Sequence, residues 1–238
     1  MRQLKEQCTR LLGITSFPLS VRAEYMGYTS GFGPTSVADQ VVRLKFRQIH
    51  VNVIRVGSEQ FTSGDEREID GAIEFTRDLY ARYGAVAIGR VTRWDITTAA
   101  AGGRDVIDND AEAKALTDQW TIQNGALDAF FVRRYAGNTT GRSAIGGSCD
   151  KSDDDQMTGV VVEMGAGGGY SDWSLAHEIG HYLGLPHVGD GSEPADSPLR
   201  RRLMYPLIPD RPYPAGTPEL TGAEVATMNS HCLGFPGG

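Results

Sequence analysis

Five residues within HEIGHYLGLPH have the types and spacing to do chemistry: His177, Glu178, His181, Gly184 and His187. Positions four apart lie on one face of an α-helix. His177 and His181 can therefore aim two imidazole nitrogens at one point, where zinc takes nitrogen ligands at about 2.0–2.1 Å. Glu178 is one position further on, turned by about 100° around the helix. Its carboxylate can lean over the metal without ligating it and accept a proton from water. Gly184 can adopt the left-handed conformation that ends a helix, and Pro186 prevents the helix from continuing. The chain can then turn and bring His187 to the same ion. Three neutral imidazoles leave a coordination position for water, as a catalytic zinc requires, whereas a structural site is more often closed by a fourth side chain.

Such a motif needs a helix held against a core, and the apolar approach through Trp173 and Leu175 supplies one face of it. Upstream, the β-branched stretch over 41–56 predicts a strand. Ser63 and Glu66 have capping-box spacing, apolar residues from Ile69 to Tyr83 follow at helical spacing, and Gly84 is placed as a C-cap, so a helix is expected over 65–83. Further strands are expected over 85–94, 127–135 and 159–164, with an edge strand over 143–148. The polar, acidic segment 102–123 reads as a loop with a short helix. After Leu185 the chain becomes proline-rich and loop-like. A last helix begins at Thr221 and Glu224, again at capping-box spacing, with Val225 and Met228 on its apolar side. Strand, helix, strand, strand points to an α/β (α+β) fold with a mainly parallel sheet and later antiparallel pieces. Three regions are expected: 1–40 as an N-terminal extension or pro-segment, 41–185 as a lobe carrying the active-site helix, and 186–238 as a C-terminal lobe.

The chain has 238 residues, enough for one large domain or two lobes sharing a cleft. Thirty acidic residues against 23 Lys and Arg give a net charge of -7, which argues against a nucleic-acid partner; Arg200, Arg201 and Arg202 form the only compact basic patch. No apolar run approaches the roughly 18 residues of a membrane span, and the N-terminus lacks the pattern of a secretory signal. Of three cysteines, Cys8, Cys149 and Cys232, at least one is free or paired outside the chain. A Cys149–Cys232 bridge and three free thiols in a cytosolic protein both fit the count.

Met204 lies 17 residues beyond His187, in Leu203-Met204-Tyr205-Pro206. Together with HExxHxxGxxH it resembles the metzincin clan of zinc metallopeptidases, whose signature is this histidine array followed by a Met-turn. The turn itself most resembles the matrixin branch, and a pappalysin-like branch is an alternative. The resemblance covers roughly 41–238, most specifically 174–206. It implies a two-lobed catalytic domain with a cleft above a loop-rich C-terminal lobe. It implies one zinc ion held by His177, His181 and His187, Glu178 as general base, and Met204 as an apolar floor. The extra tyrosine ligand of some members would stand where Pro206 stands, so none is expected. Tyr205, Pro206 and Leu207 are the expected lining of the specificity pocket. The resemblance also favours a secreted or extracytoplasmic setting.

The expected activity is a zinc metalloendopeptidase, in which a metal-activated water hydrolyses peptide bonds of a protein or peptide substrate. A monomer is expected. The alternatives are a zinc hydrolase of non-peptide amides or esters, and a non-catalytic binding module of the same fold; a purely structural site has no need of Glu178. Asp150, Asp153, Asp154 and Asp155 could offer oxygens to calcium, but not at EF-hand spacing, and the glycine-rich 165–169 lacks the Lys-Ser/Thr of a phosphate loop. Nothing around Cys8 matches a latency switch.

Overall fold

In the computed structural model, residues 47–152, 156–164, 170–209 and 212–236 are described. The expected N-terminal extension over 1–40, with Cys8, lies outside them, as do the start of the first strand, Asp153, Asp154, Asp155 and 165–169. Residues Arg47–Phe235 form one compact unit.

A mainly parallel sheet with helices on both faces organises this unit. The strands along its main path are β1 (Arg47–Val56), β2 (Ala87–Ile96), β4 (Ala126–Val132), β7 (Val160–Glu163) and the short β6 (Gly141–Arg142); a separate two-stranded sheet joins β3 (Val106–Ile107) to β5 (Arg134–Tyr135). The main order is β2-β1-β4-β7-β6. The first three pairings are parallel, and β6 runs antiparallel to β7 at the edge. Every residue of β4 is buried, as a central parallel strand covered on both faces should be. Side chains alternate between the two faces. Leu127, Ala129, Phe131, Val160 and Val162 join one core cluster, while Phe130, Val132 and Val161 join the other.

The first cluster is covered by α1 (Ser63–Tyr83) and α3 (Ser171–Tyr182), the second by α2 (Asp110–Trp120). α1 begins two residues earlier than its sequence indicated, and its cap lies one residue earlier. Thr62 is the N-cap and Asp65 completes the capping box, in place of Ser63 and Glu66. Gly84 closes the helix at φ 69°, a left-handed conformation that glycine adopts without a Cβ penalty. α1 then fixes α3: Tyr80 Oη donates to Ala176 O at 2.7 Å and Ser171 Oγ to Glu68 at 2.6 Å.

Two expectations need correction. The strand placed over 127–135 is two strands in different sheets, because Arg133 N turns to Asp105 O at 2.7 Å and takes Arg134 and Tyr135 to β3. The edge strand placed over 143–148 is instead Gly141–Arg142. Beyond Arg142, Gly146 N and Gly147 N donate to His181 O and Tyr182 O, both at 2.9 Å. The backbone there satisfies the open carbonyls at the end of α3, so those two N–H groups are not available to a ladder. This loop is further tied by a Cys149–Cys232 disulfide to the end of α4 (Gly222–Ser230), whose Thr221–Glu224 capping box is present. No described helix is long and apolar enough to cross a membrane.

Candidate active site

The eleven residues from Trp173 to Leu183 are buried without exception, so the motif histidines project from a helix with no solvent face of its own. His177 and His181 stand one turn apart on α3. Gly184, at φ 101°, reverses the chain, with its N–H on His181 O at 2.8 Å. His187 is thereby returned to the helix, and its Nε2 lies 3.1 Å from His177 Nε2 and 3.0 Å from His181 Nε2.

The outer nitrogens decide the state of these rings. His177 Nδ1 is 2.7 Å from Leu203 O, and His181 Nδ1 is 2.6 Å from Leu185 O. A carbonyl only accepts, so both Nδ1 atoms donate. Burial, with the neighbouring imidazoles, lowers the pKa of His177 to about 3; burial lowers that of His181 to about 4 and that of His187 in direction. Neutral rings with a proton on Nδ1 present bare lone pairs at Nε2. His187 Nε2 lies 3.0–3.1 Å from both of these lone pairs; a single proton on it could serve only one of them, whereas a cation between the three rings serves all. A tetrahedral ion bonded at about 2.0–2.1 Å would hold its nitrogens roughly 3.3–3.4 Å apart. The group therefore fits a metal ion, and the carbonyl contacts are those that orient metal-bound histidines.

Glu178 borders the same cleft, of about 540 Å³, together with the three histidines, Ser174, 138–143, Ile145, Pro206 and Ile208. Burial raises its carboxyl pKa to about 8, partly opposed by the Arg142 charge. Its Oε2 has no hydrogen-bond partner among the described residues. A nearby dication would favour the ionised, proton-accepting form.

Met204 is fully buried under α3. A Cβ at Gly180 would lie 2.7 Å from Met204 Sδ, so the glycine between the two histidines is what lets the thioether reach the helix backbone. The chain before and after is pinned there: Val188 N donates to Met204 O at 2.9 Å, and Leu203 O receives the His177 proton.

Of the expected pocket residues, only Pro206 lines the cleft. Tyr205 is buried beneath Arg200, whose guanidinium stands 5.6 Å from its ring centroid. Leu207 is exposed and lies against Gly191. Alternation along the segment after the turn sends Pro206 and Ile208 to the cleft and Leu207 away. The sequence reading missed Ile208, Ser174, Gly141 and Arg142. Ser174, three residues before His177, was findable from helical spacing; a two-residue strand leaves no periodic signal. Asp150, the one described member of the aspartate group offered for calcium, accepts from Ser148 Oγ and Ser152 N. A second metal-like group, Cys149, His231 and Cys232, has its two thiols joined as the disulfide.

The fold has a counterpart in metalloproteinase-II from Bacteroides fragilis, at a TM-score of 0.51 and 16% identity over 79% of this chain and 54% of that one. A chaperone-substrate complex is matched at a TM-score of 0.46 and 16% identity, over 62% of this chain and 25% of that one. This chain thus spans about half and a quarter of the lengths of those two proteins. No curated protein matches it. Residues 92–199, which hold α3 and all three histidines, match the M12B reprolysin-like metallopeptidase family. Over that segment the chain is similar to zinc metallopeptidases of the reprolysin-like kind. The matched family is reprolysin-like, while the Met204 turn resembles matrixins.

Proposed function

We propose that the domain is an endopeptidase with one zinc ion held by His177, His181 and His187, and with Glu178 as general base. The observation that supports this best is the convergence of three Nε2 atoms beside a buried carboxylate oxygen with no hydrogen-bond partner among the described residues. Bound zinc would supply a Lewis acid that polarises the scissile carbonyl and acidifies the attacking water. Glu178 takes the water proton on its open oxygen and passes it to the leaving amine. Met204 packs beneath α3 and keeps the histidine pair at a fixed height. An extended substrate adds beside β6 by backbone hydrogen bonding, and Ile145, Pro206 and Ile208 contact its apolar side chains. The Cys149–Cys232 disulfide suits an oxidising compartment.

The test is zinc content measured together with casein digestion. The protein should bind one zinc per chain and digest casein, lose digestion in a chelator, and recover it when zinc is restored. A folded, zinc-loaded protein that leaves casein and peptide libraries intact, or that cleaves only small amides or esters, would overturn the proposal.

Gly141 gives a sharper check of Glu178. A Cβ there would stand 2.7 Å from Glu178 Cγ, 2.9 Å from its Oε1 and 3.0 Å from Val161 O. The backbone oxygen cannot give way, so Glu178 must. Gly141→Ala should lower kcat/KM by about 10²-fold, the effect of misplacing a reacting group by about 1 Å, with zinc content unchanged. Undiminished activity would show that the carboxylate position is not critical.

A further inference from the structure

We propose that Arg142 sets the substrate preference of the cleft by taking a carboxylate of the substrate, so that this domain selects acidic peptides. The inference rests on the peptidase reading above and names the substrate class of that same site.

Charge is distributed unevenly between the chain and its cleft. The chain carries a net -7, yet the described lining of the cleft holds no Asp, Lys or second Arg. Its charged members are Glu178 and Arg142. Glu178 is buried and reserved for the reaction; Arg142 is half exposed. Among the described lining, a substrate meets one cationic side chain, which Asp110 partners from outside the cleft, and no exposed anionic one. The field of that guanidinium reaches the reacting groups, since its charge bears on Glu178, His181 and His187.

Arg142 is also held in place. Its Nη2 pairs with Asp110 Oδ2 at 2.7 Å, and Tyr135 Oη donates to Asp110 Oδ1 at 2.7 Å. Asp110 is the first residue of α2, where the helix dipole favours a carboxylate. An exposed ion pair of this kind contributes little to stability, so folding does not explain a cation at the cleft wall. The Asp110 contact engages one of five guanidinium N–H donors. The remaining fork can receive a second carboxylate in the paired geometry that makes arginine selective. Position completes the argument. Arg142 belongs to the edge strand beside which the substrate is laid, and a residue opposite it in an added strand would have its side chain alongside the guanidinium. Gly141, with no side chain of its own, leaves room for that approach.

The carboxylate could come from an Asp or Glu side chain or from a peptide C-terminus. The experiment therefore uses peptide pools in which Glu, Gln or Lys is moved through the positions around the cleaved bond, each with a free or an amidated C-terminus. Cleavage is measured with zinc-loaded protein carrying Arg142, Arg142→Gln or Arg142→Glu. Binding of the same pools is measured in the Glu178→Gln background. With Arg142, one Glu position should exceed its Gln counterpart by about tenfold or more in both kcat/KM and affinity, as expected for a charge-assisted hydrogen bond. Arg142→Gln should bring that ratio near one, and Arg142→Glu should invert it in favour of Lys. A preference that depends on the free C-terminus instead would identify the terminal carboxylate as the group held. Equal treatment of Glu and Gln, or a Glu preference that survives Arg142→Gln, would overturn the proposal. Arg142-dependent binding of acidic peptides without any cleavage would overturn the peptidase reading and leave this assignment standing.

Discussion

Glu178→Gln is expected to reduce kcat/KM for peptide cleavage by about 10²–10⁴-fold, the range attributed to a positioned general base, while zinc content stays at the wild-type level. Glutamine keeps the shape of the side chain and cannot accept the proton. The substitution also removes a buried carboxyl whose ionised form is penalised by its surroundings, so thermal stability should be equal or slightly higher. The two readouts together separate base catalysis from collapse of the site. Wild-type turnover by the variant would remove Glu178 from the mechanism and with it the proposed route of the proton.

The largest effect on stability is expected beneath the sheet. Asp128 and Lys151 form an ion pair at 2.9 Å with both side chains essentially sealed from solvent. Asp128 also accepts from Asn52 Nδ2 at 2.6 Å, Thr121 Oγ1 at 3.1 Å and Ile122 N at 2.9 Å, and Lys151 donates to Ile122 O at 2.7 Å. Burial pulls the Lys151 pKa down, and Asp128 opposes that pull. Removing one partner leaves an uncompensated charge, which costs about 3–5 kcal/mol. Asp128→Ala should lower the urea midpoint accordingly, with little change in the slope. Lys151→Met should cost a similar amount, and the double replacement should cost less than the sum of the two. Additive costs would mean that the pair is not a unit.

What could be read without a structure depended on how local the signal is. The histidine array and its glycine turn are set by helical spacing and by one left-handed residue, so HEIGHYLGLPH carried its own geometry. The long helix α1 was equally plain, and its cap slipped by one residue because Thr62-Ser63 offers two adjacent caps. β4 and β7 announced themselves as short apolar runs. The edge strand did not. Gly141 and Arg142 are strand residues only because Val161 and Val162 pair with them, and the neighbouring 143–148 looks extended in sequence, whereas its Gly146 and Gly147 donate to the end of α3. The pocket residues failed for a related reason. Which of Tyr205, Pro206, Leu207 and Ile208 faces the cleft depends on how the Met204 turn is pinned to Val188, a contact between positions 16 residues apart.

β6 is two residues long. So brief a border offers only a few main-chain partners to an incoming strand, too few to recruit another polypeptide by backbone pairing alone. A flat, lengthy border would grip almost any unfolded segment and would invite copies of the chain to stack upon each other. Here productive docking must draw on what the visitor carries on its side chains, and that same shortness keeps this border from serving as a template for stacked copies.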